Sequence, residues 1–241
     1  MRITDCTAVV TGANRGIGRA LVDALLARGA RRVYAAARSV RTLDVACLVH
    51  GARIAPVALD VGDADGVRRA AALARDATLL INNAGVLSSG SLLEVPEGAV
   101  RADMEVNLFG TLAMVRAFVP VIRANGGGAI ANILSVSALA ATPSLGAYSA
   151  SKAAALSVTQ SVRADAAPMG ITVHGVFPGP VATDMSRAID IAKADPNDVA
   201  AAILDGLEAG EEDIFPDGMA RQVGNTWRSN PLALARQFAT L

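Results

Sequence analysis

The sequence predicts an α/β fold: one domain, a doubly wound parallel sheet of about seven strands with helices on both faces. Three observations lead there. Short apolar runs alternate with longer helical patterns along all 241 residues. Those runs are near-continuous rather than alternating, which means burial on both faces, as in a parallel sheet covered by helices. No repeat, low-complexity stretch or Pro/Ser linker divides the chain, and its length suits a single domain.

The elements follow in order. Residues 6–11 (CTAVVT) read as the first strand. Residues 16–28 follow as a helix, with Ala20, Leu21, Leu25 and Leu26 at helical spacing. Residues 32–37 (RVYAAA) form the second strand, 41–49 a helical stretch, and 53–59 (RIAPVAL) the third strand. A helix over 64–75 leads to the fourth strand, 78–82 (TLLIN). A long helix over 98–124 precedes the fifth, 129–134 (AIANIL), and a helix over 147–167 precedes the sixth, 171–177 (ITVHGVF). After a helix at 196–209 comes a weak seventh strand, 213–216 (DIFP), and a last helix fills much of 218–239. Right-handed crossovers between parallel strands then place helices on both faces.

Composition removes several classes. With 52% hydrophobic and 18% charged residues, the chain is not disordered. The 22 acidic and 22 basic residues balance, so nothing argues for a nucleic-acid partner. Residues 124–151 carry no charge, but Gly126, Gly127, Gly128, Asn132 and Pro143 make them too polar and broken to span a membrane. Asp5 interrupts any signal-peptide core, which gives an expected cytoplasmic location. Cys6 and Cys47 lack metal-ligand spacing and are expected to be reduced thiols. His50 and His174 are single histidines, and no metal site is expected.

The first strand runs into Gly12, Gly16 and Gly18 and then a helix. Glycine lets the backbone turn tightly and approach a ligand, and the helix start offers free N–H groups to a phosphate. The pattern is T-G-x-x-x-G-x-G rather than G-x-G-x-x-G. Nineteen residues beyond Gly18, where NAD-specific folds place an acid on the ribose, stands Ala37, followed by Arg38 and Arg41. A guanidinium binds a 2′-phosphate that an aspartate would repel. NADP(H) is therefore the expected cofactor. At the other end of the chain, Tyr148 and Lys152 lie four apart on one helix face. An ammonium beside a phenol stabilises the phenolate and lowers its pKa, making it an acid/base group. Ser135 and Ser137 precede Tyr148 by 13 and 11 residues, at the end of the fifth strand.

These residues together resemble the short-chain dehydrogenase/reductase family. Beyond the glycine loop, Asn82-Asn83-Ala84-Gly85, Asn107, Ser135, Tyr148-x-x-x-Lys152 and Pro178-Gly179-Pro180-Val181-Ala182-Thr183 stand in the family's order. The resemblance covers nearly the whole chain and fades over the last 25 or so residues, where Phe215-Pro216-Asp217-Gly218-Met219 replaces the usual glycine-rich turn. It implies a Rossmann-like domain with a nucleotide half near 1–125 and a catalytic half near 126–241. It implies Asn107, Ser135, Tyr148 and Lys152 as the catalytic set, Ser135 being favoured over Ser137 by spacing. The cofactor contacts it implies are Gly12, Asn14, Arg15, Gly16, Ile17, Gly18, Arg38, Asp60, Val61, Asn83, Ala84, Gly85, Tyr148, Lys152, Pro178, Gly179, Val181 and Thr183.

The three-residue gap between Tyr148 and Lys152 is that of carbonyl/alcohol enzymes; enoyl-reducing relatives use a longer one. The resemblance thus implies an NADPH-dependent reductase of a small hydrophobic ketone or aldehyde, reversible as an alcohol dehydrogenase. A 3-oxoacyl-thioester reductase, a non-catalytic NADP(H)-binding regulator, and a lyase or dehalogenase on the same fold stay open as alternatives. Expected pocket walls are Leu87, Leu139, Leu145, Pro180, Met185 and Ile189. Helices 98–124 and 147–167 carry apolar residues on more than one face (Leu108, Leu112, Met114, Val115 and Phe118; Ala153, Ala154, Leu156 and Val158). An exposed apolar stripe marks an interface, so a homodimer or homotetramer is expected.

Overall fold

The computed structural model describes residues 1–43, 51–187 and 190–240. Seven strands, β1 (Thr7–Thr11), β2 (Arg32–Ala37), β3 (Ile54–Ala58), β4 (Leu79–Asn82), β5 (Gly128–Ile133), β6 (Ile171–Val176) and β7 (Asp213–Ile214), form one sheet. Every pairing is parallel and the order is β3-β2-β1-β4-β5-β6-β7. The order reverses between β1 and β4, and a crevice opens there beyond the carboxyl ends of the strands.

Strand side chains alternate between two cores. Ala8 and Val10 of β1, with Ala129, Ala131 and Ile133 of β5, face one side. There they meet α1 (Gly16–Ala27) and α6 (Pro196–Ala209) through Leu21, Leu25, Ile203 and Leu207. Val9 and Ile130 face the other, against Met114, Val115, Phe118 and Ile122. That second face is covered by α2 (Ala64–Leu73), α4 (Thr111–Ala124) and α5 (Gly146–Ala166). Fully buried Leu and Phe side chains contribute about 1.5–3 kcal/mol each, so both layers are fixed to the sheet.

Four expectations change. The long helix over 98–124 is α3 (Glu97–Met104), a π-helical turn (Glu105–Gly110) and α4. π turns inside α-helices gather at functional sites, and this one contains Asn107. The last helix is two: α7 (Gly218–Ser229) and α8 (Pro231–Phe238). Pro231 has no N–H to continue α7, and the residue before a proline disfavours helical backbone; Asn230 accordingly sits at φ −154°, ψ 80° and caps α8 by accepting the Ala233 N–H. β7 stops at Ile214, two residues before Pro216, which has no ladder donor. Of the helix expected over 41–49, the described residues show a 3₁₀ turn at Val40–Leu43; the remainder, with Cys47 and His50, lies outside the described residues.

Candidate active site

β1 ends in a turn that only glycine fits. Gly12 has φ +63° and Gly16 has φ +54°, a region costly for residues with a Cβ. Asn83, at the end of β4, ties this turn down: its Nδ2 donates to Thr11 O at 2.9 Å and Gly12 O at 3.2 Å, while its own N–H reaches Thr11 Oγ1 at 2.9 Å. α1 then begins with Arg15 as N-cap, no side-chain capping bond and no acid in its first turn. Its first N–H groups and positive dipole end are thus left for a phosphate.

A cavity of about 720 Å³ runs along the strand ends. It is lined by Gly12, Asn14, Arg15, Gly16, Ile17, Arg38, Asp60, Val61, Asn83, Ala84 and Gly85 at one end. At the other it is lined by Ser135, Tyr148, Lys152, Pro178, Gly179, Val181 and Thr183. Two predicted residues lie behind it. Gly18 is buried in α1, where a Cβ would stand 2.2 Å from Gly12 O; it lets the helix pack, as a contact to the turn and not to the cavity. Asn107 is buried, its Oδ1 accepting the Val86 N–H at 3.0 Å and its Nδ2 donating to Val86 O and to Ser151 Oγ, both at 2.9 Å. Asp60 Oδ1 accepts the Gly62 N–H at 3.0 Å, capping the turn after β3. Arg15 spans the cleft to Asp184 at 2.9 Å, and Arg187 bonds the same carboxylate. The Arg15 bond and the Arg187 charge hold the Asp184 carboxyl below its usual range.

The chemical end is built from β5 and α5. Ser135 follows β5 and its Oγ accepts the Ser137 N–H at 3.1 Å. Tyr148 and Lys152 are both buried. Lys152 Nζ donates to Ile133 O at 2.7 Å and stands 5.7 Å from the centre of the Tyr148 ring. Burial pushes the phenol up to about 12; the Ser135 hydroxyl opposes this by hydrogen bonding, and the Asp103 charge adds to it. Burial pulls the Lys152 ammonium down to about 8 against the opposing Asp103 charge. The sequence reading expected Lys152 to lower the phenol; here its ammonium is spent on the Ile133 carbonyl and burial dominates.

A family model described as short chain dehydrogenase matches residues 6–194. The chain belongs to the short-chain dehydrogenase family. An uncharacterized oxidoreductase of Staphylococcus aureus strain MW2 is 32% identical over 212 residues, covering 85% of this chain and 92% of that one. A short-chain dehydrogenase from Burkholderia cenocepacia J2315, solved in complex with NADP, is 44% identical with a TM-score of 0.93 over 99% of both chains. A short-chain dehydrogenase/reductase from Burkholderia phymatum, solved with NAD, is 25% identical with a TM-score of 0.88, covering 98% of this chain and 96% of that one.

Around this family core the structure adds residues that sequence reasoning missed. Met219, Phe238 and Ile191 join Leu87, Leu145, Pro180 and Met185 on the apolar wall. Met219 and Phe238 come from the two C-terminal helices, where the family pattern fades, and no local signal announces their return to the site. Leu139 packs instead into the core beside Val136, Ala220 and Phe215; Ile189 lies outside the described residues. Asp217 caps α7 through Ala220 N–H and also accepts the Gly179 N–H at 2.8 Å, fixing the loop after β6. Its place three residues before Ala220 is an N-cap signal that could have been read. His174 is a satisfied strand residue, its ring nitrogens on Glu211 O at 2.6 Å and Thr172 Oγ1 at 2.8 Å. Cys6 is buried, which raises its thiol to about 11, far from a reactive thiolate.

Proposed function

We propose that this chain is an NADPH-dependent reductase of small hydrophobic ketones or aldehydes, reversible as an alcohol dehydrogenase. The observation that carries the reading is that Ser135, Tyr148 and Lys152 face the same cavity as an uncapped, glycine-lined helix start. The residues fit a dinucleotide phosphate: at Gly12 and Gly16 the turn leaves a side chain no free space, and the N–H groups of α1 have no side-chain cap. When bound, NADPH supplies the hydride that reaches the carbonyl carbon. Ser135 Oγ holds the carbonyl oxygen, and Tyr148 gives that oxygen its proton as the C–O bond becomes single. Lys152 stands beside the phenol and passes on its replacement proton, while Asn107 braces the segment behind them through Val86 and Ser151. In the reverse direction Tyr148 takes the proton from the alcohol.

NADP(H) is preferred over NAD(H) in this reading because β2 ends at Ala37, with no carboxylate, followed by Arg38 on the cavity wall. Arg15 stands nearby and exchanges Asp184 for the 2′-phosphate. The complex of the 44% identical relative with NADP supports the choice. The apolar wall of Leu87, Leu145, Met185, Ile191, Met219 and Phe238 suits an uncharged hydrophobic substrate. NADPH oxidation measured against aryl ketones, β-keto esters and steroid ketones tests the reading. Turnover of at least one class, abolished in Tyr148→Phe, is expected. Tight NADPH binding with no turnover of any carbonyl overturns it.

The same reading makes the protein a cytoplasmic homodimer or homotetramer. Glu97–Ala124 is long and apolar enough to cross a membrane by length and composition, yet its Met114, Val115, Phe118 and Ile122 cover the sheet. Only 33% of its most apolar stretch is buried, and Phe109 is 53% exposed. A second copy packed on α4 and α5 covers that face. A light-scattering mass of one 24.5 kDa chain at micromolar concentration contradicts this.

A further inference from the structure

Asp217 does more than cap a helix. It is buried at the start of α7, and each of its oxygens has its own backbone partner. Oδ1 accepts the Ala220 N–H and Oδ2 accepts the Gly179 N–H, both at 2.8 Å. Capping uses one oxygen, and asparagine or serine would cap α7 as well. The second oxygen reaches back 38 residues, to the loop after β6. Only a carboxylate accepts at both ends; an amide would set its own NH2 against one of the two N–H donors.

That loop runs the length of the cavity. At its near end the Pro178–Gly179 peptide is held on both sides. Pro178 O accepts the Val136 N–H at 3.1 Å, beside Ser135, and the Gly179 N–H goes to Asp217. At its far end Asp184 pairs with Arg15, and a Cβ on Gly16 would stand 2.9 Å from the Thr183 methyl. The loop therefore touches the glycine turn at one end and Asp217 at the other. Asp217 leads into α7 and Met219, and a Cβ on Gly179 would stand 3.3 Å from the Met219 Cβ. Met219, Phe238 and Trp227 share one apolar cluster, and the first two line the cavity. Contacts thus run unbroken from the glycine turn to the apolar wall, and the bond from Gly179 to Asp217 is the polar link between the loop and the C-terminal helices.

We propose that Asp217 is a positioning residue that couples the loop after β6 to α7 and α8, so that a dinucleotide bound at the glycine turn steadies Met219 and Phe238, the wall that meets the carbonyl substrate. The proposal rests on the reading of the cavity as a site for NADP(H) and a hydrophobic carbonyl. Hydrogen bonds and packed side chains in contiguous contact are the physical means by which one end of a site can bias the other.

Trp227 is the chain's only tryptophan and is half-buried in the Met219–Phe238 cluster, so it reports on that wall. The probe is NADP⁺, which does not absorb where tryptophan emits. Calorimetry measures its binding, and acrylamide quenching of Trp227 is read with and without saturating NADP⁺. Quenching is expected to fall on NADP⁺ binding in the parent. Asp217→Asn keeps the cap of α7 and gives up the bond to Gly179; Asp217→Ser, with one oxygen, does the same. In both variants the fall should be lost. KM for a carbonyl substrate should rise about three- to tenfold, the worth of one hydrogen bond, with kcat changed less. A residue that only caps α7 would leave the parent's quenching response in place. Parent quenching that ignores bound NADP⁺, or an undiminished fall in either variant, overturns the proposal. So does failure of both variants to fold, which makes Asp217 a structural residue only. Quenching needs no turnover, so a protein that binds NADP⁺ but reduces no carbonyl overturns the reading of the reaction while Trp227 still decides the coupling. A parent that binds no NADP⁺ overturns both.

Discussion

Replacing Gly18 by alanine tests the packing of the glycine turn with a single methyl. On the parent backbone that methyl would stand 2.2 Å from Gly12 O and 2.4 Å from Asn83 Nδ2, against an ordinary contact of roughly 3.5–4.0 Å. Gly12 O is backbone and cannot rotate aside, so the turn must move by about an ångström or more. Such overpacking costs about 1–3 kcal/mol. Moving the turn also breaks one or both Asn83 bonds to Thr11 O and Gly12 O, at about 0.5–1.5 kcal/mol each. Alanine's better helix propensity returns about 1 kcal/mol. The net loss is about 0.5–5 kcal/mol, and a chain of this size loses about 2–4 °C of melting temperature per kcal/mol.

Gly98→Ala is the matched control. Gly98 lies in the first turn of α3, and a methyl there would meet nothing within 4 Å. It should raise the melting temperature by about 2–4 °C through propensity alone. Thermal unfolding by circular dichroism at matched protein concentration reads both variants. NADPH titration of Gly18→Ala should show weakened binding, since the displaced turn is the one that faces the phosphate. A Gly18→Ala protein that gains stability as Gly98→Ala does would refute the packing argument.

Tyr148→Phe removes one oxygen and should lower turnover by several orders of magnitude while NADPH binding survives; full activity in that variant rejects Tyr148 as the proton donor. Ala37→Asp sets a carboxylate at the end of β2 and should erase or reverse the preference for NADPH over NADH. Equal catalytic efficiency of the parent with both cofactors removes the basis of that prediction. The pH dependence of stability has opposing parts. Lys152, pulled down to about 8 from 10.5, binds its proton less well folded than unfolded, so between those values the unfolded chain holds more protons and stability rises with pH. Cys6 and Tyr148, raised to about 11 and 12 from 9.0 and 10.0, hold protons the unfolded chain has lost, so above their ordinary values stability falls. Melting temperature should therefore climb from about pH 8 and turn over above about pH 9. Lys152→Met should abolish the climb and keep the fall; a parent whose melting temperature declines steadily from pH 8 contradicts this ordering.

The strands were legible because each buried strand of a parallel sheet is a nearly unbroken apolar run, which a single sequence displays. The turn glycines, Tyr148 and Lys152 were legible because their spacing is local. What sequence reasoning lost is long-range or depends on a single residue's backbone. Pro231 splits the last helix, and only then can α8 turn back to place Phe238 in the cavity. Nothing local links Phe238 to Leu145. Gly18 looked like a ligand contact because it belongs to the glycine pattern, yet its neighbours Gly12 O and Asn83 Nδ2 make it a packing residue. The Tyr148 phenol was expected to fall beside an ammonium; spacing fixes which face two residues share, but not that Nζ would turn to Ile133 O.

Strand order, more than any one motif, brings the chemistry together. β1 ends at the glycine turn, β4 at Asn83, β5 at Ser135 and β6 at the Pro178–Gly179 loop. These four strands are consecutive neighbours in the sheet although the chain visits them far apart. Neighbouring strands lie about 4.8 Å apart, so the four ends span about 14 Å. That trough suits an elongated ligand with a phosphate at the start of α1 and its reacting end beside Tyr148. The helices complete it from one side: α5 brings Tyr148 and Lys152, while α3 and the π turn bring Asp103 and Asn107 one turn apart behind them. A one-residue slip of Asn107 would swing its side chain about 100° round the helix and break its hold on Val86 and Ser151. The π turn sets that register, and so the reactive end depends on an irregularity in a helix that the apolar periodicity alone reads as continuous.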